Sequence, residues 1–238
     1  MKYQNIARLI LKEIEAKQMV QGDKLPSLET LMTTYKAGKN TIINAISVLE
    51  SAGVIYQVRG SGIYVRGHHR KGYINLLELE GFNSLLREFK LSSKVIDVKM
   101  IKPSEEVCTN LKIDPDEDVY YVKRLRYIEG QVLCIEESYY KKSVVPYLNE
   151  EIANNSIFQY ITKDLGLEPG FVDTFLRVVK LSEEEAELLT LDNGDPGILV
   201  ESIYHLKNFE TFDYSKIIYH YNEAQFFTQA SSYYTLMD

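Results

Sequence analysis

The sequence predicts an α+β fold in two parts. A small helical unit with a β-hairpin comes first, and a unit of about 160 residues on a mostly antiparallel sheet follows. Three observations predict it. Apolar residues recur at helical spacing through the first 53 residues, then give way to two short β-prone runs around glycines. From residue 94 onward, long β-prone runs alternate with short helical ones. The charge divides at the same place: residues 1–70 carry ten Lys+Arg and five Asp+Glu, a net +5, and residues 71–238 carry 17 and 29, a net −12.

In the first helix, Tyr3, Ala7, Ile10, Leu11 and Ile14 fall at i, i+4, i+7, i+8 and i+11 and share one face. Gly22-Asp23 ends the connection after it. Leu25-Pro26-Ser27 opens a second helix, with Ser27 as N-cap and Leu28, Leu31 and Met32 as its buried stripe. A third helix starts near Lys39, with Gly38 as a tolerable cap and Thr41 in its first turn. Its inner face is Ile42, Ala45, Ile46 and Leu49, and Gly53 ends it. Runs 54–58 and 63–66 flank Arg59-Gly60-Ser61-Gly62 and read as a hairpin. Three helices and a hairpin within 66 residues are the order of a winged helix-turn-helix. Its third helix enters the major groove of DNA and its hairpin reaches the backbone or minor groove.

Residues 67–73, with charge between glycines, read as a linker from a domain at 1–66 to one at 74–238. Its His68-His69 pair has no further ligand at a fixed spacing and reads as solvated rather than metal-binding. Strands are expected at 94–102, 118–128, 131–140, 171–181, 198–208 and 214–222, and helices at 82–89, 104–111, 156–165 and 183–190. Glu129-Gly130 between two strands marks an antiparallel hairpin. Ser156-x-x-Gln159 and Ser182-x-x-Glu185 have capping-box spacing.

A hydrophobic content of 45% over 238 residues excludes a disordered or low-complexity chain. No apolar run reaches the roughly 18 residues of a membrane span, and no apolar signal segment precedes Tyr3, so a cytoplasmic protein is expected. Cys108 and Cys134 lie among apolar residues and read as reduced core residues.

These residues carry a family likeness. Tyr3-x-x-Ile6-Ala7, Gly22-Asp23-Lys24-Leu25-Pro26-Ser27, Thr41-Ile42, Leu49-Glu50-x-x-Gly53 and Arg59-Gly60-Ser61-Gly62 resemble the DNA-binding domain of GntR-family bacterial transcription regulators. Arg124-Leu125-Arg126, Glu136-Glu137-Ser138-Tyr139, Ser156-Ile157-Phe158, Glu183-Glu184-Glu185-Ala186-Glu187 and Asp213-Tyr214-Ser215-Lys216 resemble the effector-binding UTRA domain of the HutC subfamily, whose fold is like that of chorismate lyase. The resemblance implies a homodimer, built largely through the C-terminal domains, that meets a roughly palindromic operator. It implies a regulator, a repressor in the commoner family pattern, and neither a metal nor a cofactor.

The departures from the family fall where bases are read. Glu29 stands where members usually have Arg, Gly38-Lys39 where Ser-Arg is frequent, and Ile43 where an Arg is common. Arg reads guanine O6 and N7 with two donors at once, and Glu29 cannot. Lys39 still offers a point charge to a phosphate or a guanine. Asn40 and Asn44, one turn apart, suit adenine or are ordinary exposed polar residues. Arg59 and Gly60 are the wing tip by resemblance, or a solvated turn. The expectation is DNA contact through Lys39, Asn40, Thr41, Asn44, Arg59 and Gly60, on an operator less G·C-rich than the family's usual one.

Arg124 and Arg126 are two apart in a strand and share a face, so they need a shared anion. Carboxylates of the domain, such as Glu136 or Glu137, and the acidic group of a ligand are both candidates. The resemblance favours a ligand, because this pair holds the acidic group in members that respond to sugar phosphates. It also implies Glu136 as acceptor for ligand hydroxyl or amino groups, and Phe82 and Asn83 in a loop touching the ligand. Asp213 and Tyr219 would line the pocket. Ser156 either offers its hydroxyl and nearby N–H groups to a phosphate or simply caps its helix. After Tyr219, His220-Tyr221-Asn222-Glu223 stands where members often have Arg-Gly-Asp-Arg. A phosphorylated sugar is the first expectation and a non-phosphorylated carboxylate the second. A chorismate-lyase-like enzyme is the remote alternative: no nucleophile–base or metal constellation is visible, and His205 and His220 have no evident partner. Asp114-Pro115-Asp116-Glu117-Asp118 reads as a solvated turn rather than a calcium loop.

Overall fold

The computed structural model describes residues 2–66, 72–76 and 89–228, which form two compact units on either side of residue 71. The expected helix at 82–89, with Phe82 and Asn83, and the His68-His69 pair lie outside the described residues, apart from Phe89.

The N-terminal unit holds α1 (Tyr3–Ala16), α2 (Leu28–Tyr35), α3 (Lys39–Ser51), β1 (Ile55–Val58) and β2 (Gly62–Val65). Its core joins Ile6, Ala7, Ile10 and Ile14 of α1 to Leu31 of α2 and to Ile42, Ala45, Ile46 and Leu49 of α3. Ile6 is fully buried whereas Tyr3 is exposed, so the apolar face of α1 runs one residue off the expected stripe at its start. The recurrent motifs have physical reasons here. Gly22-Asp23-Lys24-Leu25 lies along β2: Leu25 N donates to Ile63 O at 2.8 Å, and Val65 N donates to Asp23 O at 2.8 Å. Ser27 caps α2 by accepting from Thr30 N at 3.2 Å. Glu50, near the end of α3, accepts from Gln57 N at 3.0 Å and from Gln57 Nε2 at 2.7 Å, so it bolts the hairpin to the helix. Gly53 follows at φ +70°, the left-handed turn that lets the chain leave α3 for β1. Glu50→Ala is expected to destabilise this unit by about 1–2 kcal/mol, because a charged acceptor of two hydrogen bonds is lost. Urea unfolding of the full chain, followed on the N-terminal unit, measures it.

The C-terminal unit is built on a six-stranded antiparallel sheet of order β4-β5-β6-β9-β8-β7. The strands are β4 (Leu91–Ile101), β5 (Val119–Ile128), β6 (Gln131–Lys141), β7 (Pro169–Lys180), β8 (Pro196–Leu206) and β9 (Thr211–His220). A two-stranded parallel pair, β3 (Tyr73–Asn75) and β10 (Gln225–Phe227), stands beside it. One face of the sheet carries α4 (Glu105–Leu111) and α7 (Glu183–Leu189), packed on Tyr214 and Val119 and on Leu125 and Ile135 respectively. Ser182 and Glu185 complete a capping box at α7. The other face carries α5 (Glu150–Asn154) and α6 (Ile157–Gln159), which runs into a π-helical turn, Tyr160–Asp164. Ala153, Ile157 and Ile161 from this segment pack on Val122, Tyr140 and Phe212.

The turn between β5 and β6 decides what the sheet presents. Glu129 (φ +49°) and Gly130 (φ +87°) both take positive φ, which matches the twist of the flanking strands. A bulge then shifts the register: Tyr127 pairs with Val132 but Arg126 with Cys134, leaving Leu133 as the extra residue. Arg124 consequently sits across from Glu136 and shares its face. Without the bulge it would face Ile135.

Both cysteines are free. Cys134 is fully buried, while Cys108 is only half-buried, less of a core residue than expected. No helix among the described residues is long and apolar enough to cross a membrane.

Candidate functional site

In the N-terminal unit, α3 turns Lys39, Asn40, Ile43, Asn44, Ser47 and Val48 outward and leaves Thr41 half-buried. Gly38 is its N-cap, with no side chain to hold the first turn. Arg59 and Gly60 sit exposed at the hairpin tip. Behind that tip, Ser61 Oγ and Tyr64 Oη lie 2.6 Å apart, and Lys24 Nζ stands 5.8 Å from the Tyr64 ring centroid. The expected DNA contacts therefore lie on two surfaces, the outer face of α3 and the hairpin tip. Glu29 is exposed in the first turn of α2, where a carboxylate suits the positive end of the helix.

In the C-terminal unit, the face under α5 and α6 carries a buried polar row. Arg124 is 2% exposed, Arg126 4% and Glu136 6%. One carboxylate serves both guanidiniums. Glu136 Oε1 pairs with Arg124 Nη2, and Glu136 Oε2 lies 2.8 Å from Arg126 Nε. Arg124 Nη1 donates to Ala153 O of α5 at 2.8 Å, and Arg126 Nη1 donates to Ser93 Oγ on β4. The shared anion is thus Glu136. Glu137 faces the other way, bonded to Tyr121 Oη at 3.0 Å and paired with Lys123 at 3.2 Å. Burial works against the charge on Glu136, but the two guanidiniums outweigh it and hold the carboxyl down to about 2.

The row continues across β6 and β9. Ser138 Oγ donates to Glu136 Oε1 at 3.2 Å, Ser215 Oγ lies 2.8 Å from Ser138 Oγ, and Asp213 Oδ1 lies 2.6 Å from Ser215 Oγ. Three O···O contacts need three protons, and two hydroxyls supply two. A proton on the Asp213 carboxyl would supply the third. Burial pushes this acid up to about 8, the charge of Glu136 adds to the rise, and Ser215 and Arg124 oppose it. Asp213 is flanked in register by Tyr140 and Tyr204, both placed in apolar surroundings. With Asp213 protonated, the two arginines and the one carboxylate would carry a net +1.

The other expected residues fall around it. Ser156 caps α6 by accepting from Gln159 N at 3.3 Å, the plain capping role. Phe158 beside it leans on the Tyr204 ring, 6.5 Å between centroids, so this turn roofs the Asp213 end of the row. Tyr219 is buried with Leu133, Cys134 and Ala224, edge-on to Phe226 at 5.0 Å, one end of the same face. His205 does have a neighbour, contrary to expectation: Nε2 is 3.3 Å from Asp173 Oδ2, and its ring stacks on Phe171 at 4.3 Å. Ser93, Ser138 and Ser215 complete the row and were not expected. The signal for two of them was alternation, since Ser138 and Ser215 each stand two residues after an acid of the row. Among the described residues no group of three His, Cys, Asp or Glu is placed to hold a metal ion.

Comparison with known proteins shows the family. Residues 2–65 match the bacterial regulatory proteins of the gntR family, and residues 86–225 match the UTRA domain. The chain belongs to the GntR family and carries a UTRA domain. It is 55% identical to the HTH-type transcriptional regulator YydK of Bacillus subtilis over 98% of this chain and 99% of that one. The crystal structure of YydK superposes with a TM-score of 0.89, covering 96% of this chain and 100% of the other. The regulator TreR of the same organism is 27% identical over 90% of this chain and 91% of its own. The effector binding domain of that trehalose repressor matches 59% of this chain, and 97% of the solved domain, at a TM-score of 0.54. The mannosyl-D-glycerate transport/metabolism system repressor MngR of Escherichia coli is 24% identical over 94% of this chain and 93% of its own. This GntR-family chain is a DNA-binding transcriptional regulator with an effector-binding UTRA domain.

Proposed function

We propose that the chain is a cytoplasmic, homodimeric repressor whose hold on a roughly palindromic operator is controlled by a phosphorylated sugar. The sugar binds among Arg124, Arg126, Glu136, Asp213, Ser156 and Tyr219; Phe82 and Asn83, which the family resemblance adds to this set, lie outside the described residues. The observation that carries this reading is a pair of buried guanidiniums, Arg124 and Arg126, set around the one carboxylate of Glu136. Guanidiniums meet phosphate and carboxylate oxygens with matched donors, and a desolvated positive site selects an anion. Arg124 Nε, buried without a hydrogen-bond partner among the described residues, is one donor that an incoming anion would satisfy. The repressors of trehalose and mannosyl-D-glycerate systems among the relatives support a carbohydrate. The second reading, a non-phosphorylated carboxylate, is favoured by the same guanidinium pair, which meets a carboxylate as readily as a phosphate.

DNA contact is assigned to Lys39, Asn40, Thr41, Asn44, Arg59 and Gly60. The homodimer is supported by β7, an edge strand whose Phe175, Leu176 and Val178 are exposed. Pairing of β7 with its copy about Phe175 would set Asp173 across from Arg177 and join opposite charges. The effector acts through a different affinity for two arrangements of the dimer.

A thermal-shift panel of sugar phosphates, the parent sugars and sugar acids tests the effector. Binding to the native state raises the melting temperature by mass action. One sugar phosphate is expected to shift the wild type. Arg126→Gln, which leaves Glu136 paired with Arg124, is expected to need at least about tenfold more of it. A shift produced equally by the parent sugar would sink the anion reading.

A further inference from the structure

We propose that Ile43 reads thymine, packing its side chain on the C5 methyl of one thymine in each operator half-site. The inference deepens the assignment of α3 as the reading helix and rests on it.

Ile43 is 39% exposed, yet every other side chain on the first two outward turns of α3 is polar: Lys39, Asn40, Asn44 and Ser47. It is absent from the core. The inner face is filled by Ile42, Ala45, Ile46 and Leu49, and the half-buried residues that pack on this core come from elsewhere, among them Met32, Tyr35 and Val54. So a part-exposed isoleucine stands among polar side chains on the outward face of α3, with Val48, also exposed, one turn further on. Residues three and four apart on a helix are neighbours, which places Ile43 against Lys39, Asn40 and Ser47. Its partner must be apolar and must come with DNA, because the unit around it is basic, a net +5 over residues 1–70.

The major groove offers one apolar feature, the thymine C5 methyl. Over guanine, isoleucine would strip water from O6 and N7 and return no donor, so a G·C pair at this position costs affinity. Over thymine it gains contact with no polar group stranded. β-Branching holds the Ile43 χ1 to one rotamer on a helix, so little freedom is lost on contact. With Asn40 and Asn44 free to pair adenine N6 and N7, the three side chains together read A·T. That is the chemical sense of an isoleucine between two asparagines.

The test uses the full chain and a duplex selected by it from a random pool. Each thymine of that duplex is replaced in turn by uracil, which deletes only the methyl. Wild type is expected to lose about 3- to 5-fold in affinity at one thymine per half-site, the worth of one buried methyl. Ile43→Ala should bind the thymine and uracil duplexes equally, with its melting temperature unchanged. Ile43→Arg, selected afresh, should exchange that position for guanine. If no uracil position matters, or if Ile43→Ala keeps the same sensitivity, Ile43 does not read a methyl. If the wild type selects no sequence at all, the reading helix itself is wrongly assigned and this inference falls with it.

Discussion

Glu136→Ala is expected to destabilise the C-terminal unit by about 3–5 kcal/mol, as removing one partner of a buried ion pair does. In a unit of this size that corresponds to a melting temperature lower by roughly 6–20 °C. The reason is the geometry of the row. Arg124 and Arg126 are almost wholly buried and share this one carboxylate, so its removal strands two charges. A second variant separates structure from recognition. Replacing the three residues together, Arg124→Met/Arg126→Met/Glu136→Leu, removes all charge and keeps volume, and such swaps are often neutral or stabilising. That triple variant should regain most of the lost stability and respond to no anionic effector. If Glu136→Ala melts within about 2 °C of wild type, the triad is not the desolvated unit described above. The pair also sets an acid limit. The Glu136 carboxyl titrates lower in the fold than in the open chain, so its contribution is complete above about 4.5 and is lost as pH falls toward about 2.

Asp213 runs the other way. Its acid titrates near 8 in the fold and near 3.8 in the open chain, so the native state holds a proton that the unfolded state has released. Stability from this group therefore declines as pH rises from about 4 to about 8, by an amount on the order of 5 kcal/mol across the window. Asp213→Asn mimics the protonated acid: its amide supplies the donor that Ser215 requires and carries no charge. The variant should be more stable than wild type at pH 7, on the order of 4 kcal/mol, and its urea midpoint should be flat across pH 5–8 where the wild type slopes. Parallel slopes in the two proteins would place the proton elsewhere. The same ionisation predicts weaker effector binding above pH 8, since a charged Asp213 cancels the net +1, and the Asn variant should keep its affinity there.

Much of this was legible in the residues. Each helix of the N-terminal unit followed from a 3.6-residue period and a cap, and the hairpins from glycine-bearing turns. The single exchange of Ile6 for Tyr3 reflects where the α1 face meets α3, which spacing alone does not decide. In the C-terminal unit the six long strands were visible as β-prone runs. β3 and β10 were not, because three residues carry no period and their parallel pairing spans most of the domain's sequence. α5 escaped for the same reason of length. At the site, the common face of Arg124 and Arg126 was readable from the two-residue repeat of a strand. That Glu136 rather than Glu137 balances them depended on the Leu133 bulge, a register shift with no sequence mark. The raised pKa of Asp213 was beyond reading, since it comes from burial between Tyr140 and Tyr204.

The Arg124 guanidinium carries five N–H groups, and two of its nitrogens already have protein partners: Nη2 in Glu136 and Nη1 in the carbonyl of Ala153, in α5. Nη1 holds two hydrogens, so an effector there can share the nitrogen with that carbonyl. The arginine is therefore a joint between strand and helix, tying β6 through Glu136 and α5 through Ala153, so a ligand met by this side chain would touch a residue that also holds α5 to the sheet.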